Sequence, residues 1–247
     1  MNKSWQKLIK ALHQKKHRQD EQLFLVEGEK SVVELLNSTL VTKAVFFTKD
    51  FALQYPDLLQ SKAKIVELWE ISQTLLEQVG TLQSNNAALA VVQIPHNQLF
   101  KTPKNTYQII LADLRDPGNL GTIIRIADWY GIHQIVCSNS TVDWYNPKVI
   151  ISSMGSFLRV QPYYCELPAY FEANASVPVY GALMNGTNVH TVQFAKEGMI
   201  VIGNESNGIA DDLLPYITYP ITIPRFGGAE SLNAGIATAV ICDNLRR

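Results

Sequence analysis

Residues 221–245 read ITIPRFGGAESLNAGIATAVICDNL. A β-branched run stops at Pro224, which cannot donate to a sheet ladder. Gly227 and Gly228 permit a sharp bend, and Ser231 is expected to cap the helix that follows. That helix is apolar on nearly every face through Leu232, Ile236, Ala237, Val240 and Ile241, while Ala234, Gly235 and Ala239 leave room for close backbone approach. A helix of this kind is expected to be buried all round. The pattern leaves open whether its cover is the same chain or a second copy.

Two upstream segments also run from an apolar strand into a turn. In DLRDPGNLGTIIRIADWYG (113–131), the strand QIILADL leads through Arg115, Asp116, Pro117 and Gly118 to Asn119, an expected N-cap for a helix running to about Tyr130. Leu120, Ile123, Ile124 and Ala127 form the apolar stripe of that helix. Arg125 lies off the centre of the stripe, where it could pair with Asp128 or Asp116 or reach a ligand. In IVIGNESNGI (200–209), an apolar strand ends in a loop with glycine at both ends and a carboxylate, Glu205, among turn formers. Glycines there allow a tight turn and close approach of backbone to a ligand.

Around these motifs the strands QIILADL, QIVCS, VYGALM, MIVIGN and ITYPITIP alternate with helical segments, which predicts an α/β unit with a parallel sheet buried on both faces over 107–247. Such sheets bind ligands at the C-terminal ends of their strands, where all three motifs fall. Residues 1–94 predict a smaller α/β unit, with LFLVEG, TKAVFFT, KIVELW and AALAVVQIP as strands and KSVVELLNS and SQTLLEQVG as helices. PHNQLFKTPKNT (95–106) has the composition of a linker.

Composition narrows the function. A net charge of −1 at pH 7 excludes nucleic-acid binding by bulk electrostatics, so any RNA contact must be local. The concentrated basic segment is 1–18, with Lys3, Lys7, Lys10, Lys15, Lys16 and Arg18 and no acid before Asp20. It is either a solvated amphipathic helix or a phosphate contact. Cys137, Cys165 and Cys242 lack metal-ligand spacing and predict free thiols in a reducing, cytoplasmic setting, with no metal. No stretch is long and apolar enough for a bilayer span, and the cationic start lacks the apolar core of a secretory signal, so a soluble protein is expected. The chain has neither the Gly-x-Gly-x-x-Gly turn of dinucleotide-binding folds nor a Walker phosphate loop. His133 and His190, the histidines beyond residue 96, have no legible catalytic partner.

The order and spacing of the three motifs resemble the SpoU (TrmH-like) branch of the SPOUT RNA methyltransferases, strongly over about 107–247 and more loosely through LFLVEGEKSVVELL (23–36), which looks like the N-terminal RNA substrate-binding domain of many members. The resemblance implies a deep trefoil knot in the C-terminal unit and transfer of a methyl group from S-adenosylmethionine to a ribose 2′-hydroxyl, in ribosomal RNA before transfer RNA. A non-catalytic RNA-binding or ribosome-assembly protein is the alternative of another class. Carried over by position, the cofactor cradle is Leu183, Gly203, Ile223 and Leu232, and the catalytic set is Asn119, Arg125, Glu205, Ser231 and Asn233. A homodimer is implied, with the arginine of one subunit near the cofactor of the other. Departures from the family pattern fall at Asn204, Ser206 and Asn207, at Arg225, which could be an added phosphate contact, and at Ala234 and Gly235 after Asn233.

Overall fold

The computed structural model describes residues 1–99 and 104–247; positions 100–103 of the expected linker lie outside the described residues. The chain forms two compact units, residues 1–96 with 145–158 and residues 97–144 with 159–247. Segment 145–158, which the sequence assigns to the C-terminal unit, therefore groups with the N-terminal one. Among the described residues no helix is long and apolar enough to cross a membrane. All three cysteines are free, with Cys137 and Cys242 buried.

The first unit runs α1 (Lys3–Ala11), α2 (Lys15–Glu21), β1 (Leu23–Glu27), α3 (Glu29–Leu36), β2 (Thr42–Phe47), α4 (Lys49–Gln54), α5 (Pro56–Lys62), β3 (Glu67–Glu70), α6 (Gln73–Val79) and β4 (Ala88–Gln93). Its sheet has the order β1-β4-β2-β3, with β4 antiparallel to both neighbours and β2 parallel to β3. Apolar side chains of α1, α6 and the strands meet in one core built on Ile9, Leu12, Leu25, Phe46, Leu76 and Leu89. Asn2 starts α1 by accepting from the Trp5 N–H at 2.9 Å.

Arg18 corrects an expectation. Its place in the basic segment suggests a phosphate contact, yet its side chain is buried and its Nη1 donates to the carbonyls of Leu12 (2.8 Å) and His13 (2.9 Å). A guanidinium carries several donors in a fixed fork, so it can satisfy the orphan carbonyls at the end of α1 where a lysine could not.

The second unit contains β5 (Tyr107–Leu111), α7 (Pro117–Trp129) and β6 (Gln134–Ser138). After α8 (Pro147–Ser152), which groups with the first unit, come β7 (Gln161–Cys165), α9 (Leu167–Ala173), β8 (Val179–Asn188), β9 (Gly198–Ile202), β10 (Tyr219–Thr222) and α10 (Ala234–Leu245). The sheet order is β10-β8-β9-β5-β6-β7, and every pairing is parallel. Ile110, Val136 and Val201 on one face pack with Leu167 and Phe171 of α9. Ile109, Leu111 and Cys137, of the opposite parity, are also fully buried, α7 packs against β6, and α10 packs against α7, so both faces are covered as a parallel sheet requires. β7 is the strand the sequence does not suggest. It lies at the sheet edge, where Pro162 is tolerated and burial is partial, so it carries no apolar run.

From β5 the chain steps through β6 and β7 to one side, and β9, β8 and β10 lie on the other. The strand order thus reverses between β5 and β9, which is where an open α/β sheet opens a crevice at its C-terminal edge. The loops after β5 and β9 flank that point, and those after β8 and β10 lie beside it.

The anchoring role of Arg18 is measurable. Arg18→Met is expected to destabilise the first unit by about 2–3 kcal/mol, because two carbonyls lose a charged donor. A urea midpoint unchanged from the parent chain would show that the contact contributes nothing.

Candidate active site

The β5–α7 loop begins at Asp113, whose φ of 65° is unusual for a residue with a side chain. Several contacts hold it there: its N–H donates to Ser138 Oγ (3.0 Å), its carbonyl accepts from Asn204 Nδ2 (2.9 Å), and its carboxylate pairs with Arg115 (2.6 Å). Burial pushes the Asp113 carboxyl up, but the Ser140 hydroxyl, Arg115 and Asn204 outweigh it and leave it below the usual range. Two residues on, Asp116 caps α7 by accepting from the Asn119 N–H at 2.8 Å, with Pro117 in the first turn.

That corrects the expected role of Asn119. Because Asp116 caps the helix, Asn119 sits one turn in, and its side chain is free for tertiary bonds. Its Nδ2 donates to Glu205 Oε1 (3.0 Å), and its Oδ1 accepts from Asn233 Nδ2 (2.7 Å). Glu205 also accepts from the N–H groups of Arg115 (3.1 Å) and Asp116 (3.0 Å). Residues from all three motifs are thereby joined in one hydrogen-bonded chain.

The bonds fix the protonation state of Glu205. Partial burial raises its pKa, but the Asp116 N–H, the Asn119 amide and the Arg115 N–H lower it further, so the carboxyl lies below its ordinary value. It is a fixed anion at neutral pH, with its oxygens already engaged.

Glu205 is placed by a loop that its own neighbours tie down. Asn204 and Gly208 exchange backbone hydrogen bonds at 2.9 Å, and Asn204 Oδ1 accepts from the N–H groups of Ser206 and Asn207. A side chain on Gly203 would lie 2.2 Å from the Gly208 backbone, and Gly208 has a φ of 71°, so the turn needs glycine at both ends. Asn204, which the sequence shows only as a departure from a pattern, is the organiser of this loop. The signal for it was present: asparagine after a strand readily accepts from the N–H two residues on.

Beside this cluster lies a cavity of about 820 Å³, a size suited to a small-molecule cofactor. Its lining includes Leu183, Gly203, Ile223 and Leu232 together with Glu205 and Ser231. The lining comes from β8, the loops after β9 and β10, and α10, and mixes apolar residues with Asn185, Asn204 and Thr222. The β8–β10 approach beneath it is close: a side chain on Gly186 would meet Pro220 and Ile221 backbone at 2.7–2.8 Å.

Two further expectations change. Asn233, not Ser231, caps α10, accepting from the N–H groups of Gly235 (2.9 Å) and Ile236 (3.3 Å); Ser231 stays in the exposed loop at the cavity. Nor is α10 buried all round. Gly235 packs closely on Thr122 of α7, but Ile236 is 55% exposed, and Trp129 of α7 is 84% exposed. Arg125 is exposed and is outside the cavity lining. Among the described residues it has no ion pair; of its two suggested partners, Asp128 is held by Arg159 at 2.9 Å and Asp116 caps α7. Arg225 Nη1 donates to the Ala229 carbonyl (3.3 Å), and Phe226 beside it is 97% exposed.

Fold and site together define a SPOUT-type α/β enzyme scaffold with a cofactor-sized cavity built from motif loops. The family model described as the SpoU rRNA Methylase family matches residues 106–243, and the chain belongs to that family. A second model, the MRM3-like substrate binding domain, matches residues 6–90. The 23S rRNA (guanosine(2553)-2′-O)-methyltransferase RlmP of Bacillus subtilis is 31% identical over 99% of this chain and 95% of its own length. A TrmH-family RNA methyltransferase structure from Porphyromonas gingivalis superposes with a TM-score of 0.86 at 29% identity, over 99% of this chain and 98% of that one. An AdoMet-bound rRNA methyltransferase from Sinorhizobium meliloti shares the fold, with a TM-score of 0.88 at 24% identity over 99% and 94% of the two chains.

Hydrogen exchange tests the Glu205 clasp. Glu205→Gln cannot accept all three N–H groups, so the Arg115 and Asp116 amides are expected to exchange about tenfold faster or more. In the parent chain the folded pKa is depressed, so the protection is complete above the ordinary glutamate value and is lost only as pH falls through the lower folded one. Loss of protection near neutral pH would contradict the assignment.

Proposed function

We propose that this chain transfers a methyl group from S-adenosylmethionine to a ribose 2′-hydroxyl of ribosomal RNA. The observation that carries the proposal is the placement of the Asn119–Glu205–Asn233 cluster against a cavity lined by Leu183, Gly203, Ile223 and Leu232. The RlmP relative, named for this reaction on 23S rRNA, supports the substrate class. The cofactor supplies a sulfonium-activated methyl group. The cavity fits it: apolar side chains suit its carbon skeleton, and glycine-bearing turns expose backbone to its polar edges. In this reading those loops also form the knot of the SPOUT fold, and the protein works in the cytoplasm.

With the cofactor bound, the ribose oxygen would attack the methyl carbon in line, the oxygen–carbon bond forming as the carbon–sulfur bond breaks, the electron pair leaving with the thioether S-adenosylhomocysteine and the hydroxyl proton passing to solvent. Glu205 is not the base, because its oxygens already accept three hydrogen bonds. Its work is positional: it holds the N-terminus of α7 and, through Asn119, Asn233 at the head of α10. A guanidinium is not a base either, because arginine stays protonated in proteins. Arg125 holds the RNA phosphate beside the target ribose and stabilises negative charge growing on the 2′-oxygen. Ser231 lines the wall beside the methyl group, and Asn233, outside the lining, holds the head of α10 to Asn119.

Arg125 reaches the cavity of a second copy. It is exposed, lies outside its own cavity lining, and shares α7 with the exposed Trp129 while Ile236 is exposed on the adjoining α10. An apolar face carrying an arginine is what a symmetric pairing would cover. The protein is therefore read as a homodimer.

The direct test is incorporation of labelled methyl from S-adenosylmethionine into protein-free ribosomal RNA, followed by digestion to nucleosides. Label in a 2′-O-methyl nucleoside is expected; folded protein that binds the cofactor and methylates no ribose would overturn the reading. Arg125→Ala is expected to lower the rate roughly 10²–10³-fold, with Arg125→Lys keeping measurable turnover. Mixing Arg125→Ala with Glu205→Gln should restore up to about a quarter of the activity, because half the dimers are mixed and each has one intact site. No recovery in demonstrated mixed dimers would place Arg125 in its own subunit's site.

A further inference from the structure

The first unit carries a charged surface outside the site described above. Lys3, Lys7 and Lys10 stand at i, i+4 and i+7 of α1, so they share one face, and all three are exposed. Lys15 and Lys16, also exposed, extend the charge into the start of α2. None of the five has an ion-pair partner among the described residues. The acids of this region lie aside: Asp20 and Glu21 are at the end of α2, and Glu67 accepts from the indole N–H groups of Trp5 and Trp69.

The opposite face of α1 is committed to the core. Ile9 and Leu12 are fully buried, Trp5 and Leu8 pack against the same cluster, Arg18 ties the end of α1 to α2, and His13 Nε2 lies 2.9 Å from the Val79 carbonyl. The lysine row is thus presented by a helix fixed in the fold. A membrane-surface helix needs a free apolar face to bury in the bilayer, and α1 has spent its own on the core. What remains is a rigid row of cations about one helical turn apart, which suits a run of phosphates.

We propose that the Lys3–Lys7–Lys10 face of α1 binds the sugar–phosphate backbone of the substrate RNA without reading its sequence. This rests on RNA being the substrate. In a chain of net charge −1 the affinity contributed by phosphate contacts is then concentrated on α1, and base and shape recognition falls to other surfaces.

The probes are a uridine homopolymer and protein-free ribosomal RNA, bound to the full chain across a salt titration. For Lys3→Gln/Lys7→Gln/Lys10→Gln the slope of log K against log salt is expected to become shallower by about 2, roughly 0.7 per lysine on a single strand. Affinity at low salt should fall on the order of 10- to 100-fold for both RNAs alike. An unchanged urea midpoint of the first unit checks that the variant is folded. The control, Lys43→Gln/Lys64→Gln, removes exposed lysines elsewhere in the same unit and should leave the slope unchanged.

An unchanged slope in the triple variant overturns the proposal, as does an equal loss per lysine in the control, which would make the effect bulk charge. Binding to phosphatidylserine vesicles that depends on the three lysines, with RNA affinity intact, would assign the face to an anionic lipid surface and overturn it too. Parent protein that neither binds nor methylates RNA would refute the functional reading itself; parent protein that methylates RNA with the same salt slope as the triple variant would refute this inference alone.

Discussion

The second unit turns on one carboxylate. Glu205 accepts from two backbone N–H groups at the entrance of α7 and from the side chain of Asn119, which in turn accepts from Asn233 at the head of α10. Three loops that leave the sheet from β5, β9 and β10 would otherwise be independent, each with unsatisfied donors at a strand or helix end. A single anion satisfies donors on the first, and an amide relay carries the restraint to the third. Charge-assisted bonds of this kind are stronger than neutral ones, which suits a junction that must hold loop geometry beside a cavity.

The cavity follows from the same arrangement. Its walls come from β8, α10 and the loops after β9 and β10, so its shape depends on how closely these pack, and glycine permits the close approaches at Gly203 and Gly186. The positive φ at Asp113 belongs to this economy of close packing: Asn204, Ser138 and Arg115 together hold a conformation that an isolated residue would rarely adopt. Chemistry at such a site depends on position more than on titration. The one carboxylate in the cluster is held ionised, so it supplies a fixed charge and a set of hydrogen bonds.

The two units divide labour in a way their charge distributions express. On the first, Lys3, Lys7 and Lys10 share the exposed face of α1, while the second presents a cavity at its motif loops and an exposed arginine. Arg18 shows why a count of basic residues misleads. Within six basic residues close in sequence, one is buried as a structural donor to helix-end carbonyls and five face solvent.

Much of this was legible in the chain itself. Apolar runs such as QIILADL and MIVIG could only be strands covered on both faces, because exposing either face would leave too much apolar surface in water; Pro224 and the paired glycines mark where backbone must turn. Glu205 was legible too, as a carboxylate in a turn just past an apolar strand, whereas Asn233 was reached only through the family resemblance. The bonding among them was not legible. Asp116 and Asn119 are both plausible caps, as are Ser231 and Asn233, and local preference does not choose between neighbours of equal capping strength. The choice is tertiary: Glu205, brought from about ninety residues away, takes the Asn119 amide and leaves Asp116 to cap, and Asn119 takes the Asn233 amide from Glu205's far side. Sequence determines which segments must be buried and where they must turn; only the folded chain decides which of several equivalent polar groups ends a helix and which is left to face the cavity, because that depends on partners distant in sequence.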